Sequence, residues 1–188
     1  MKDYFDELIR KLDDKKYNIT WQNISRNYKG ENNTLVGYLL SDEVSYIYNN
    51  YDLFQLNWEG DGYKGFIHFV SYEQIEKEHI ELIEIMREIY DYKRDFLKIK
   101  EDIEHWYPLF EFPNGDSFCL DVRNGNVVFY EHEVYDTGIN LHGLIIALSV
   151  NDLFEKWSKC LFVDIYDWYE GVDEEGIDMK LDIYSDLL

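Results

Sequence analysis

The stretch FEFPNGDSFCLDVRNGNVVFYEHE, residues 110–133, decides the fold. Two turn signals, Asn114-Gly115-Asp116 and Asn124-Gly125, sit between short runs rich in aromatic and β-branched residues. Such runs bounded by Asn, Gly and Asp read as strands joined by tight turns. The spacing predicts strands over 106–112, 117–122 and 126–132. Asn-Gly is the strongest hairpin signal in the chain, since both central positions of a type I′ turn need positive φ. A two-residue turn there sets Val122 opposite Val127 and Leu120 opposite Phe129. Phe118, Leu120, Val122, Val127 and Phe129 then share one face as core. Asp121, Arg123, Val128, Tyr130 and His132 share the other, mixed face, as in an antiparallel sheet with helices on one side. The segment ALSVNDLFEKW, residues 147–157, follows. Its Ser149 and Asp152 suit the start of a helix that continues through Trp157.

Upstream, Tyr4, Phe5, Leu8, Ile9 and Leu12 form one helical stripe. Residues 15–33 are polar and turn-rich and read as loop. Ser41 suits a helix cap, with Asp42 and Glu43 in the first turn and Val44, Ile47, Tyr48 and Tyr51 at helical spacing. Phe54, Leu56 and Trp58 alternate as in a strand. Gly60, Asp61 and Gly62 mark a turn, and 66–70 reads as the next strand. Ser71 and Gln74 have capping-box spacing ahead of a helix to about Tyr92. Ile75, Leu82, Ile85, Met86 and Ile89 line one side of it. Residues 73–104 carry eleven acidic and six basic side chains, mostly a solvated helix face. No linker or repeat interrupts the 188 residues, so one domain is expected over 1–188. Residues 164–188 form an acidic C-terminal extension with nine acids and one lysine. Its Trp168, Tyr169 and Tyr184 suggest packing on the domain or on a partner.

Charge is the plainest functional clue. The net is −21, from 18 basic and 39 acidic side chains. Phosphates and anionic membrane surfaces are repelled by such a chain, so neither nucleic acid nor membrane is expected as a direct ligand. A basic partner is favoured, because long-range attraction raises the encounter rate. Seventeen tyrosines and eleven phenylalanines supply ample core, which sets the chain apart from disordered acidic sequences. Only two cysteines occur, Cys119 and Cys160, both in apolar runs, and they read as buried thiols. The N-terminus has no apolar signal core and no window suits a membrane span, so a cytoplasmic location is expected.

The chemistry-bearing residues form no catalytic pattern. The five histidines, His68, His79, His105, His132 and His142, show no HxxxH or HxH spacing. In Glu131-His132-Glu133 a strand turns the two glutamates to one face and the histidine to the other. Asp164, Asp167 and Glu170 lack the spacing of a calcium loop. The glycine turns have no neighbouring Lys-Ser/Thr to cradle phosphate, and no nucleophile elbow is present. The expectation is a binding protein with no enzyme activity, cofactor or metal.

The order of segments resembles the SUKH superfamily, the Smi/Knr-like proteins. LVGYLLSDEVSYIYNNYDLFQLNW (35–58) is similar to that family's entry segment, and GFIHFVSYEQI (65–75) to its second strand. FPNGDSFCLDVRNGNVVFYEHE (112–133) is similar to its Gly-Asp hairpin. ALSVNDLFEKW is similar to its closing serine-capped, Phe-containing helix. Together these span a family-like core of about 35–160. The resemblance implies an α+β domain with a mainly antiparallel sheet and flanking helices. It also implies, for bacterial members, an immunity protein that binds and neutralises a cognate toxin, often a basic nuclease. The alternative is a regulatory or scaffolding domain with no toxin partner. For such a partner, acidic loop positions beside aromatics are the candidate contacts: Glu59, Asp61, Asp116, Asp121, Glu131, Glu133, Tyr135 and Asp136. Carboxylates there steer and pair with Lys or Arg. Asp173, Glu174 and Glu175 form a second candidate patch. Trp58 and Trp106 read as core. The sequence leaves the toxin's identity and the oligomeric state open.

Overall fold

The computed structural model describes residues 2–26, 32–92, 102–132, 142–164, 172–173 and 176–177. A seven-stranded sheet runs in the order β1-β4-β5-β6-β7-β8-β9, and every neighbouring pair is antiparallel. Its strands are β1 (Asn18–Ser25), β4 (Tyr51–Gly60), β5 (Tyr63–Phe69), β6 (Trp106–Glu111), β7 (Ser117–Asp121), β8 (Val127–Tyr130) and β9 (Ile145–Ala147). Two small hairpins stand outside it, β2 (Thr34–Leu35) with β3 (Tyr38–Leu39), and β10 (Val172–Asp173) with β11 (Gly176–Ile177). Among the described residues the sheet is flanked by the α-helices α1 (Lys2–Lys15), α2 (Asp42–Asn50), α3 (Ile75–Tyr92) and α4 (Val150–Trp157). The chain is an α+β protein built on one antiparallel sheet.

One sheet face carries the main core. Phe54, Leu56 and Trp58 of β4 alternate inward and join Ile67, Phe69, Phe118, Leu120, Val127 and Phe129. Three helices cover them through Phe5, Leu8 and Leu12, through Val44, Ile47 and Tyr48, and through Leu153, Phe154 and Trp157. Aromatic edges knit the layer, with Phe5 against Phe54 at 4.5 Å and Phe118 against Trp157 at 5.2 Å between ring centroids. The α4 cap has the expected logic. Ser149 Oγ accepts from the Asp152 N–H at 3.0 Å, and Asp152 Oδ2 accepts from the Leu148 N–H at 2.9 Å. At α3, by contrast, Ser71 and Gln74 meet side chain to side chain and make no capping box; the Gln74 and Ile75 N–H groups bond the Ser71 carbonyl.

Three sequence expectations need correction. Residues 15–33 were expected as loop, yet 18–25 form β1, the outermost strand. Its composition is that of a turn region, but Ile19 and Trp21 alternate inward, and Trp21 packs edge-on to Phe54 at 5.5 Å. The second correction is register. Leu120 pairs with Val127 and Phe118 with Phe129, a slip of two residues from the expected pairing. Gly125 has φ +84°, whereas Asn124 does not enter the positive region, so the turn is not type I′. Instead the Asp121 carbonyl accepts from Gly125 N–H at 2.8 Å, and Asp121 N–H bonds the Asn126 carbonyl at 2.9 Å, leaving a four-residue loop. A slip of two preserves which face each side chain takes, so Phe118, Leu120, Val127 and Phe129 remain in the core. The geometry expected at Asn124-Gly125 occurs at Asp61-Gly62, where φ is +51° and +88°.

The third correction concerns layers. Helices were expected on one side only, but α3 lies on the second face. Its Leu82 and Met86, with Ile103, bury Trp106, Cys119, Val128 and Tyr130. Among the described residues, this cover extends over the β6–β8 half of that face only. The β1–β4–β5 half carries Asn18, Thr20, Gln55, Asn57, Phe66 and His68 at partial or full exposure. Ile85, expected on the packed side of α3, is exposed.

Candidate partner-binding surface

The sheet register gathers several turns at one end. Phe69 pairs with Phe110, so the start of β5 lies beside the chain beyond β6. The Asp61-Gly62 turn, the 113–116 turn and the exit of β8 therefore share that end. The segment after α4 joins them: Val163 bridges Gly65, and the Asp164 N–H bonds the Lys64 carbonyl at 2.7 Å. Trp58 anchors the arrangement from below. Its Nε1–H donates to the Leu161 carbonyl at 2.8 Å, and its ring fills the space over Gly65. Tyr17 stacks on Trp58 at 5.5 Å and donates its hydroxyl to Asp61 Oδ2 at 2.8 Å. Burial first, then the Asp61 carboxylate, pushes the Tyr17 phenol up to about 12. Trp58 and Trp106 are both buried.

The eight candidate residues do not behave alike. Glu59 and Asp61 are exposed on this end, and Glu59 pairs with Lys64 at 3.6 Å across two exposed side chains. Asp116 belongs to the same end but is buried. It accepts from the His132 N–H at 2.9 Å, contacts His132 Nδ1 at 3.0 Å and accepts from Asn114 Nδ2 at 2.6 Å. Its carboxylate fastens the 113–116 turn to the end of β8. Glu131 is half-buried, and its N–H donates to Nδ1 of buried His142 at 3.1 Å. Burial pushes His142 down to about 4, which keeps that ring neutral and able to accept.

Asp121 lies at the opposite end, buried, where Arg123 grips it through Nε at 2.9 Å, Nη2 at 2.6 Å and the backbone N–H at 3.0 Å. Burial pushes this carboxyl up, but the hydrogen bonds and charge of Arg123 outweigh it and hold the group below its usual range. Asp116 and Asp121 are thus turn anchors, and they lie at opposite ends of the sheet. Glu133, Tyr135, Asp136, Glu174 and Glu175 lie outside the described residues, and of the second patch only the backbone of Asp173, in β10, is described. The surface the structure brings together is Glu59, Asp61 and Lys64 beside a hollow of about 400 Å³. Asn18, Thr20, Asn57, Phe66 and Asp164 line it, on the open half of the second sheet face.

A further group escaped the sequence reading. Glu111 of β6 lies 3.7 Å from His68 Nδ1 of β5 and faces Glu78 of α3. Burial, and then the neighbouring Glu78, pushes the Glu111 carboxyl up to about 7. Burial also pushes His68 down. An open hollow of about 280 Å³ adjoins the group, lined by Glu78, Glu81, Leu82, Pro108, Glu111 and Tyr130. No local pattern announces it, because its members come from three elements. Among the described residues, no three His, Cys, Asp or Glu side chains are grouped so as to hold a metal ion. No described helix is long and apolar enough to cross a membrane. A scan against protein-family models, a search of curated proteins and a search of solved structures each give no match.

Proposed function

We propose that this chain is a cytoplasmic immunity protein of SUKH type that neutralises a cognate basic toxin, of nuclease class, by stoichiometric binding. The observation that carries the reading is charge: a net of −21 on 188 residues, with Glu59 and Asp61 exposed together at one end of the sheet. Carboxylates so placed attract a basic surface over several ångströms and pair with its Lys and Arg on contact. The half-open second sheet face beside them is lined by polar side chains and Phe66, a composition suited to a rim that meets water. The segment-by-segment resemblance supplies the toxin class. The chain acts by occupying the toxin's cationic face and carries out no chemistry of its own.

The test is co-expression with any basic toxin domain that a neighbouring reading frame is found to encode. The expected result is restored growth and a co-purifying complex of fixed stoichiometry. Growth arrest that this chain does not relieve, with only housekeeping proteins captured from the native cell, refutes immunity and favours a regulatory domain.

A further inference from the structure

The two edges of the sheet are built very differently. β9 is three residues long, and β11 lies beside it. β1 is eight residues long, NITWQNIS, and among the described residues no strand pairs with its outer side. Open edges are ordinarily blunted by charge, proline, shortness or cover, because their unpaired N–H and C=O groups template further pairing. β1 has none of the first three: it holds no charged residue and no proline, in a chain of which 30% is charged. Its single irregularity is a register shift at Ile24/Ser25, at the far end of the strand.

Charge along the chain narrows the occupant. Residues 1–33 carry seven basic and six acidic side chains, so the other eleven basic and thirty-three acidic residues all lie beyond position 33. The segment containing β1 is nearly neutral while the remainder is strongly acidic. A strongly basic partner finds no carboxylate on this strand to pair with. Another copy of the chain can pair with this uncharged strand without setting like charges opposite one another along it.

We propose that β1 pairs antiparallel with β1 of a second copy, extending two seven-stranded sheets into one across a two-fold axis. A two-fold perpendicular to the sheet keeps matching faces on the same side. Pairing centred on Trp21 sets Thr20 of one copy opposite Gln22 of the other. Both side chains are exposed and lie on the open face, so charges placed there meet across the interface. The acidic end with Glu59 and Asp61 is then presented twice.

The test is solution mass by light scattering on the full chain and two double variants, Thr20→Lys/Gln22→Lys and Thr20→Glu/Gln22→Glu. The unmodified chain is expected at twice the 22.8 kDa chain mass, with each variant alone at the single mass. An equimolar mixture of the two variants is expected to return to twice that mass, since Lys then faces Glu. Single mass for the unmodified chain at all concentrations overturns the proposal, as does double mass in both separate variants. Amide exchange of the unmodified chain gives a readout independent of the variants. Protection over residues 18–25 that rises with concentration supports the pairing, and protection independent of concentration overturns it.

Discussion

Replacing Glu111 by Gln tests whether the buried carboxyl group between β5, β6 and α3 is read correctly. In the folded chain burial and Glu78 raise this carboxyl to about 7 from an ordinary 4.5. A raised acid binds its proton more tightly folded than unfolded. Stability therefore falls as pH rises from about 4.5 to 7 and stays lower above that. At 1.36 kcal/mol per pH unit the cost reaches at most about 3.4 kcal/mol. The side chain is 32% exposed, so solvent screens part of the charge and about 1–2 kcal/mol is the working figure. His68 opposes the trend, since its lowered folded value makes the chain gain stability as pH rises through its ordinary 6.5. The comparison is therefore between variant and parent at each pH. Gln keeps the shape and hydrogen-bonding capacity of the neutral acid and cannot ionise. Urea unfolding followed by circular dichroism at intervals from pH 4.5 to about 7.5 supplies both curves. Glu111→Gln is expected to match the parent within about 0.5 kcal/mol at the acid end and to exceed it by about 1–2 kcal/mol at the alkaline end. Parallel curves across that range refute the argument that this carboxyl is raised.

Other outcomes follow from packing and from charge. Phe129→Ala should cost about 3–5 kcal/mol in urea unfolding, because the ring is 1% exposed between β7 and the helical layer; a loss below about 1 kcal/mol contradicts the core assignment. Gly65→Ala should cost about 2–4 kcal/mol, since a Cβ there collides with the Trp58 indole and displaces the ring from the Leu161 carbonyl. An unchanged midpoint shows that Trp58 has room to move. Asp121→Asn should lower stability most at neutral pH and least in acid. A carboxyl held below its ordinary 3.8 contributes above that value and loses its contribution as pH falls through the folded one; a difference that persists undiminished into strong acid counts against the Arg123 clasp.

Much of the architecture is legible in the sequence because it rests on local patterns. Phe54, Leu56 and Trp58 alternate, Ser149 and Asp152 cap a helix, and Phe118, Leu120, Val127 and Phe129 fall on one face. What the sequence hides is set by tertiary choice. β1 is composed of Asn, Gln, Ser and Thr around only three large apolar residues, and its strand character comes from pairing with β4. The 121–126 loop departs from the Asn-Gly expectation because Asp121 and its Arg123 clasp stabilise a longer turn. The candidate surface is legible only in part. Glu59 and Asp61 are exposed turn acids as the pattern suggests, while Asp116 and Asp121 are consumed by hydrogen bonds within their own turns. Spacing cannot separate an acid that faces a partner from one that holds a loop, since both stand beside Asn and Gly. The Glu78, Glu111 and His68 group is invisible for a different reason: its members lie up to 43 positions apart.

The placement of Asp116 and Asp121 also changes how recognition is to be probed, because reversing either charge disrupts a turn before it alters a surface. Glu59 and Asp61 are the exposed acids to reverse, with Tyr17→Phe as the control for the hydrogen bond that Asp61 also accepts. The direct measurement is the association rate of this chain with a basic toxin domain whose growth arrest it relieves on co-expression, by stopped-flow fluorescence, at rising salt. Attraction between an acidic surface and a basic one is screened over about 8–10 Å at physiological ionic strength. From about 0.05 to about 0.5 M salt the rate is expected to fall roughly tenfold or more, with dissociation changing much less. Glu59→Lys/Asp61→Lys is expected to slow association at low salt and to flatten the salt dependence. An association rate constant across that range, unaltered by the double reversal, contradicts recognition through the acidic surface.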